Sequence, residues 1–331
     1  MLRETPKLAV AIPCYKRTEW LERCLESITS AAASDRFPIY VVDDSCDGTN
    51  DAMLARFSLR HPGLQVIRNE VNLGIDRNIC KCVEVAQAEY VWLLGEDDLM
   101  YPGAVPRLLE SGLLDRQHPF VFVNYSYMSA DQQYIFRERS IDVTDNCELP
   151  FAAFVSQYLW AAGFIGGCVI RRDNFVASGY RRFIGTYYAH VGGISLATLG
   201  NTVGIHGDPL IYNRVGDAAT FTWSADSYGV FQGWRRLLRM LAEPFGGPLT
   251  KSAWASHKGA HGYLGLRFLI AKKADGLLHW PHLRTLCCGD VSAQEKTLAV
   301  AAYACPQFVA KMIRDGYASL RRTRLKKRSH G

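Results

Sequence analysis

The chain has 331 residues, 48% of them hydrophobic, which is enough to bury one large core or one core with an appendage. Its net charge of +6 is concentrated at one end: the last eleven residues, "RRTRLKKRSHG", hold six Lys/Arg and no acid, so without them the charge is about zero. That excludes a nucleic-acid partner recognised by bulk charge and makes the tail a local basic device.

In chain order, the first 125 residues alternate as an α/β sheet does. Residues 7–12 read as a short apolar strand, and "LAVAIPCY" is too brief and too broken by Pro13 for a signal peptide. Thr18 is placed to cap a helix whose apolar positions Leu21, Cys24, Leu25 and Ile28 repeat at helical spacing. Strands follow at 39–42, 64–67, 90–94 and 120–124, with helical stretches at 50–60 and 77–86 between the earlier ones. Residues 126–215 mix hairpin-like and helical segments. Within them, 151–170 carry no charge but do contain Ser156, Gln157 and three glycines, which reads as a buried helix and a strand rather than a membrane span. Beyond Ala218 the chain turns helical and aromatic-rich, and a domain boundary is expected near 216, giving domains 1–215 and 216–331. The ten cysteines contain no CxxC pair, so reduced thiols are expected rather than a zinc site or a disulfide framework.

Polar residues gather just beyond the strands. Pro13, Tyr15 and Arg17 follow the first, Asp43 and Asp44 the second, Asn72, Gly74 and Arg77 the third, and Glu96, Asp97 and Asp98 the fourth. In an open parallel sheet those ends lie along one edge, where ligands bind. Three adjacent carboxylates repel unless something positive sits among them. Helix capping does not explain them, because Pro102 sets the next helix start near Tyr101. The remaining readings are a hard divalent cation completed by phosphate oxygens, or a solvated acidic loop. Asp43 and Asp44 fit either a turn with Asx hydrogen bonds or acceptors for a pyrimidine N–H or a ribose hydroxyl. Arg77 either faces a phosphate or is a surface helix residue.

Four stretches in order, "LAVAIPCYKRTEWLERCLESI", "IYVVDDSCDGT", "NEVNLGIDRNI" and "YVWLLGEDDLMYPGAV", resemble the successive motifs of family 2 glycosyltransferases, strongly over 7–110 and weakly over 163–215. The resemblance implies an α/β GT-A fold with a mainly parallel sheet, a nucleotide-diphosphate sugar donor, Mn²⁺ or Mg²⁺, and an acceptor hydroxyl. It implies Pro13, Tyr15 and Arg17 in the nucleotide pocket, Asp43 or Asp44 on the base or ribose, and Asn72 and Arg77 near the ribose and phosphates. Counting back from Pro102 puts Asp97 and Asp98 on the last two aspartates of the family's Asp-x-Asp-Asp, with Gly95 in place of the first. Asp97 is then the best metal ligand, Asp98 stands beside it in the metal and catalytic set, and Glu96 reaches the ribose or the metal.

Inverting members usually carry a downstream Glu-Asp pair that supplies the base, yet "FIGTYYAHVGGISLATLGN" has no carboxylate. Within that stretch the one imidazole or carboxyl group is His190, which reads as a neutral base, a metal ligand or a core histidine. Asp173 and Asp217 are outside candidates. Relatives that transfer deoxysugars in O-antigen assembly share the Tyr-x-His look.

These readings converge on a metal-dependent sugar transferase of bacterial surface polysaccharide or glycolipid assembly, acting on a glycan or lipid-linked acceptor. The alternatives are a non-catalytic nucleotide- or sugar-binding domain and a sugar-nucleotide pyrophosphorylase, although the latter wants a glycine-rich loop that "PCYKRTEW" lacks. A cytoplasmic location follows, with peripheral contact to an anionic membrane through a basic amphipathic helix at 306–328. The competing reading of that helix is one packed on the body, with a solvated tail.

Overall fold

The protein is described by a computed structural model over residues 5–32, 34, 36–129, 131–215, 227–287 and 291–328, the side chains of 227, 228 and 318–328 excepted. The first half alternates as its sequence pattern demands: β1 (Leu8–Cys14), α1 (Thr18–Ala32), β2 (Ile39–Asp43), α2 (Asp51–Arg60), β3 (Leu64–Arg68), α3 (Ile75–Val85) and β4 (Tyr90–Leu93). There follow β5 (Leu99–Met100), α4 (Ala104–Glu110), β6 (Phe120–Ser129), β7 (Ile135–Arg137), β8 (Cys147–Pro150), α5 (Phe151–Gln157), β9 (Cys168–Arg171), α6 (Arg172–Ala177), α7 (Ala189–Thr198) and β10 (Thr202–Val215).

Among the described residues the strands form one sheet in the order β3-β2-β1-β4-β9-β6-β10-β5, with β7 on β6 and β8 on β10. β1 pairs in parallel with β2 and β4, and β2 with β3, whereas β9 runs antiparallel between β4 and β6. In the parallel part β1, β2 and β4 are buried almost throughout, as strands covered on both faces are, whereas β3 exposes Gln65 and Arg68. Leu8, Val10 and Ile12 of β1 and the whole of β4 are buried, each large aliphatic side chain contributing about 1.5–3 kcal/mol. Thr18 opens α1, but its hydroxyl donates to Asn50 Oδ1 at 2.8 Å rather than capping its own helix.

The uncharged stretch 151–170 folds as α5, two short 3₁₀ turns (Leu159–Gly163 and Ile165–Gly167) and β9. Trp92 Nε1 of β4 donates to the Gly166 carbonyl at 2.8 Å, locking the second turn against the sheet. Among the described residues no helix is long and apolar enough to cross a membrane.

Packing divides the chain into two compact units between Ala253 and Trp254. The boundary expected near 216, and Asp217 with it, falls outside the described residues; α8 (Ser227–Met240) and α9 (Ala242–Phe245) belong to the first unit. After α10 (Gly247–His261), the second unit contains α11 (Leu266–Ala274), α12 (Trp280–Leu286), α13 (Ala293–Ala304) and α14 (Gln307–Arg328). In it α13 is capped by a Ser292–Glu295 capping box, and α14 is tied to α11's end by Arg314 on Asp275 at 2.6 Å.

Candidate active site

A cleft of about 340 Å³ opens at the carboxyl ends of β1, β2 and β4. It takes Pro13 from β1, Tyr15 and Arg17 from the loop after it, Asp44 from just beyond β2, and Asn72, Gly74, Ile75 and Asn78 from the loop after β3 and the start of α3. Gly95, Glu96 and Asp97 close it after β4, and Ile165 and Tyr187 come from the second half of the chain. Thus Pro13, Tyr15, Arg17, Asp44, Asn72, Glu96 and Asp97 meet in one place. Asp43, Arg77, Asp98 and His190 do not line it.

Two arginines converge on Asp97, the middle carboxylate of the triplet. Asp97 Oδ2 accepts from Arg17 Nη1 at 3.2 Å and from Arg214 Nη2 at 2.7 Å. Arg214, near the end of β10, has a side chain only 1% exposed and lies over the Trp20 ring at 3.9 Å. Glu96 accepts from the Tyr15 N–H at 2.8 Å and stands 3.6 Å from Arg17 Nε. Burial nevertheless pushes the Glu96 carboxyl up to about 8. Asp98 is turned inward, accepting the Arg214 main-chain N–H at 3.0 Å, and burial followed by the neighbouring Asp97 charge raises it well above the carboxylate range.

Gly95 explains the departure from the family's acidic pattern. A Cβ there would lie 2.4 Å from Asp98 Oδ2, in a carboxyl group whose other oxygen, Oδ1, accepts the Arg214 N–H. A side chain at this position and an inward Asp98 exclude one another.

The paired aspartates of β2 are already engaged. Asp43 accepts from the Ser45 N–H at 2.9 Å and from Asn50 Nδ2 at 3.1 Å, which is the Asx-turn arrangement. Asp44 accepts from Asn69 Nδ2 and the Leu73 N–H, both at 2.8 Å, and from the Gly74 N–H at 3.0 Å. It thereby fixes the loop that starts α3, while Gly74 supplies the positive φ of 75° that the entry to the helix requires. Ile75, Asn78 and Ile79 of α3 face the cleft. Arg77, two residues past Ile75, sits about 200° around the helix and is exposed.

His190 lies in α7, 1% exposed, with Nε2 3.1 Å from the Ala162 carbonyl, and burial pushes its imidazole down to about 4. The expected ligand set of Asp97, Asp98 and His190 is therefore corrected. Asp98 folds onto β10 and His190 into the core, and among the described residues no three His, Cys, Asp or Glu groups converge on a metal position. The outside candidate Asp173 lies in α6 beside Arg172 at 3.0 Å, with 90% of its side chain exposed.

Sequence reasoning missed Arg214, Trp20, Asn78 and Tyr187. A basic residue closing the apolar strand "LIYNRV" was the available signal for Arg214, since a charge at a strand's carboxyl end belongs to the ligand edge.

The mainly parallel sheet and the acidic, arginine-bearing cleft at its carboxyl edge define the GT-A class of α/β fold. The family model described as glycosyl transferase family 2 matches residues 9–176. The chain belongs to glycosyltransferase family 2. It is 28% identical over 198 residues to the abequosyltransferase RfbV of Salmonella typhimurium, covering 56% of this chain and 59% of that one. The curated relatives it matches first are spanned over 31 to 59% of their own length. In fold it is similar to S. aureus TarS 1–349 in complex with UDP-GlcNAc, with a TM-score of 0.58 and 12% identity over 94% of this chain and 92% of that one. It is likewise similar to a mannosyltransferase from Pyrobaculum calidifontis in complex with GDP-Man and Mn²⁺, with a TM-score of 0.53 and 18% identity over 91% and 86% of the two chains.

Proposed function

We propose that the chain transfers a sugar from a nucleoside diphosphate sugar to a hydroxyl of a glycan or lipid-linked saccharide, in the assembly of a surface polysaccharide. The observation that carries this is the cleft itself, which brings Arg17 and the Glu96–Asp97 pair together with Asp44, Asn72 and Gly74 in one lining. Such a site offers an arginine to a diphosphate, a carboxylate to a divalent cation that would bridge to it, and hydrogen-bonding groups to a nucleoside. The names of the Salmonella relative and of the two liganded neighbours support the same reading.

The side chains fit a hard divalent cation held through one carboxylate rather than three. Both arginines use Asp97 Oδ2, and no protein donor among the described residues takes Oδ1. Mn²⁺ or Mg²⁺ accepts one or two carboxylates and fills its remaining positions with phosphate oxygens and water. Asp97 would hold the ion, with Glu96 beside it, and the ion would neutralise charge on the departing diphosphate. Arg17 binds and orients the same phosphates, and Asp44 keeps the nucleoside loop in shape.

Contact with an anionic membrane is part of the proposal. Phe308 and Met312, one turn apart on α14, are 67% and 70% exposed, and the basic tail continues beyond them. The side chains of Arg321 and Arg322, in the basic part of that helix, lie outside the described residues. The protein would then work at the cytoplasmic membrane surface.

The test is a panel of UDP-, GDP-, CDP- and dTDP-sugars with Mn²⁺ or Mg²⁺, monitored for release of the nucleoside diphosphate with and without chelator. Cation-dependent release that falls at least 100-fold in Asp97→Asn is the expected result. Tight nucleotide binding with no release from any donor would instead identify a binding domain, and formation of nucleoside triphosphate from pyrophosphate a pyrophosphorylase.

A further inference from the structure

The 185–189 loop is held by a single carboxylate from a distant part of the chain. Asp76, in the first turn of α3 and 6% exposed, accepts from the Gly185 N–H at 2.7 Å and the Tyr187 N–H at 3.0 Å through Oδ2, and from the Ala189 N–H at 3.1 Å through Oδ1. Three main-chain donors converging on one buried carboxylate make charge-assisted bonds, stronger than neutral ones. The loop is also packed by α8, whose Gly233 approaches so closely that a Cβ there would lie 2.0 Å from the Thr186 carbonyl oxygen and 3.2 Å from Tyr187 Cδ2.

Between these two supports Tyr187 adopts φ of +64°, a left-handed conformation that a bulky side chain rarely takes. Such a conformation persists where its surroundings over-determine it, and it clusters at binding sites. The result is visible in the cleft, where Tyr187 forms part of the wall. The same helix start is fixed from the nucleotide side by Asp44, through the Leu73 and Gly74 N–H groups. Two buried aspartates therefore hold the main chain on either side of the α3 start, Asp44 at Leu73 and Gly74 and Asp76 at the 185–189 loop.

We propose that Asp76 is a positioning residue that sets Tyr187 as the sugar-recognising wall of the cleft, its ring and hydroxyl placed against the pyranose rather than the nucleotide. This rests on the transferase reading above. A tyrosine suits a sugar because it presents an apolar face to ring C–H groups and a hydroxyl to their oxygens. The nucleoside and diphosphate have their own groups in the cleft, from Asp44, Asn72, Arg17 and Asp97. Ile165 is the other side chain that the second half of the chain contributes.

The experiment compares wild type with Tyr187→Asn, Tyr187→Phe, Asp76→Asn and the Tyr187→Asn/Asp76→Asn double variant. Asparagine tolerates the left-handed conformation, so Tyr187→Asn removes the ring without forcing the loop to move. Each protein is titrated calorimetrically with the nucleoside diphosphate that the wild type binds, and kcat and KM are measured with the matching sugar nucleotide. Tyr187→Asn and Asp76→Asn are each expected to leave diphosphate affinity within about twofold while lowering kcat/KM for the sugar nucleotide at least tenfold, and Tyr187→Phe to lose less. The double variant should be no worse than the poorer single one, because Asp76 acts through Tyr187. Unchanged kcat/KM in Tyr187→Asn, losses that multiply in the double variant, or collapse of diphosphate affinity would each overturn the proposal, the last by placing Tyr187 on the nucleoside. If Asp76→Asn does not fold, the Tyr187 variants decide alone: unchanged kcat/KM for the sugar nucleotide in Tyr187→Asn overturns it. A wild type that binds no nucleoside diphosphate and transfers no sugar would refute the underlying transferase reading instead.

Discussion

Arg214 Nη2 and Asp97 Oδ2 meet at 2.7 Å across 117 residues of chain, joining the end of β10 to the acidic loop after β4. Arg214 also lends its main-chain N–H to Asp98, so one residue orders two of the three carboxylates. A buried ion pair of this kind adds little net stability over an apolar pair, but removing one partner leaves a charge without compensation.

Arg214→Met should therefore destabilise the protein by about 3 kcal/mol, the low end of the cost of breaking a buried pair, because Arg17 still reaches Asp97. Urea unfolding measures this. Adding Asp97→Asn to Arg214→Met should recover part of the loss, since the orphaned charge is then gone. A single-variant loss below about 1 kcal/mol would mean that Arg17 alone suffices.

Glu96 gives a stability change with a definite sign. Burial raises its folded pKa to about 8 from an ordinary 4.5, so between these values the folded state holds a proton that the unfolded state has released. Stability contributed by this group is complete below pH 4.5 and is lost as pH rises through 8. Glu96→Gln keeps an acceptor for the Tyr15 N–H without the titration. The variant should gain Tm relative to wild type at pH 8 and show no such gain at pH 4.5; an equal gain at both would disconnect the effect from ionisation.

His190 acts in the opposite direction. Its imidazole is pushed down to about 4 by burial, with the nearby Asp76 charge partly opposing, so the unfolded state binds a proton first as pH falls below 6.5. The stabilising contribution is present above 6.5 and is lost on acidification through 4. His190→Gln should flatten the decline in stability over that window. Its kcat should stay within about tenfold of wild type, short of the 10²–10⁴-fold loss of a general base. A loss in that larger range with nucleotide binding intact would restore the histidine to the chemistry.

Removal of residues 319–331 should leave turnover on a short soluble acceptor unchanged and reduce co-sedimentation with anionic vesicles at low salt. Each Lys or Arg near such a surface adds about 1 kcal/mol, screened within a Debye length. Vesicle binding by the full-length chain that ignores salt, or does not occur, would leave α14 as an ordinary exposed helix.

The first half of the fold could be read from the sequence because β1, β2 and β4 are buried apolar runs and its helices repeat at 3.6 residues, patterns set locally by apolar periodicity. The same locality put Tyr15, Arg17, Asp44, Asn72, Glu96 and Asp97 at strand ends, and hence along one edge. Arg77 failed because a shift of two residues on a helix turns a side chain to the far face, and α3 begins at Ile75 rather than at 77. The sequence also required a positive charge among three adjacent carboxylates. Only the tertiary structure decided that Arg17 and Arg214 supply it, because the Arg214 pairing depends on a β10 that lies beside β5 and β6 and not beside β4. It likewise turned His190 into the core and brought Asp76 under the loop of Tyr187. These contacts close 28 to 117 residues of chain, and no local periodicity encodes which distant donor a carboxylate will meet.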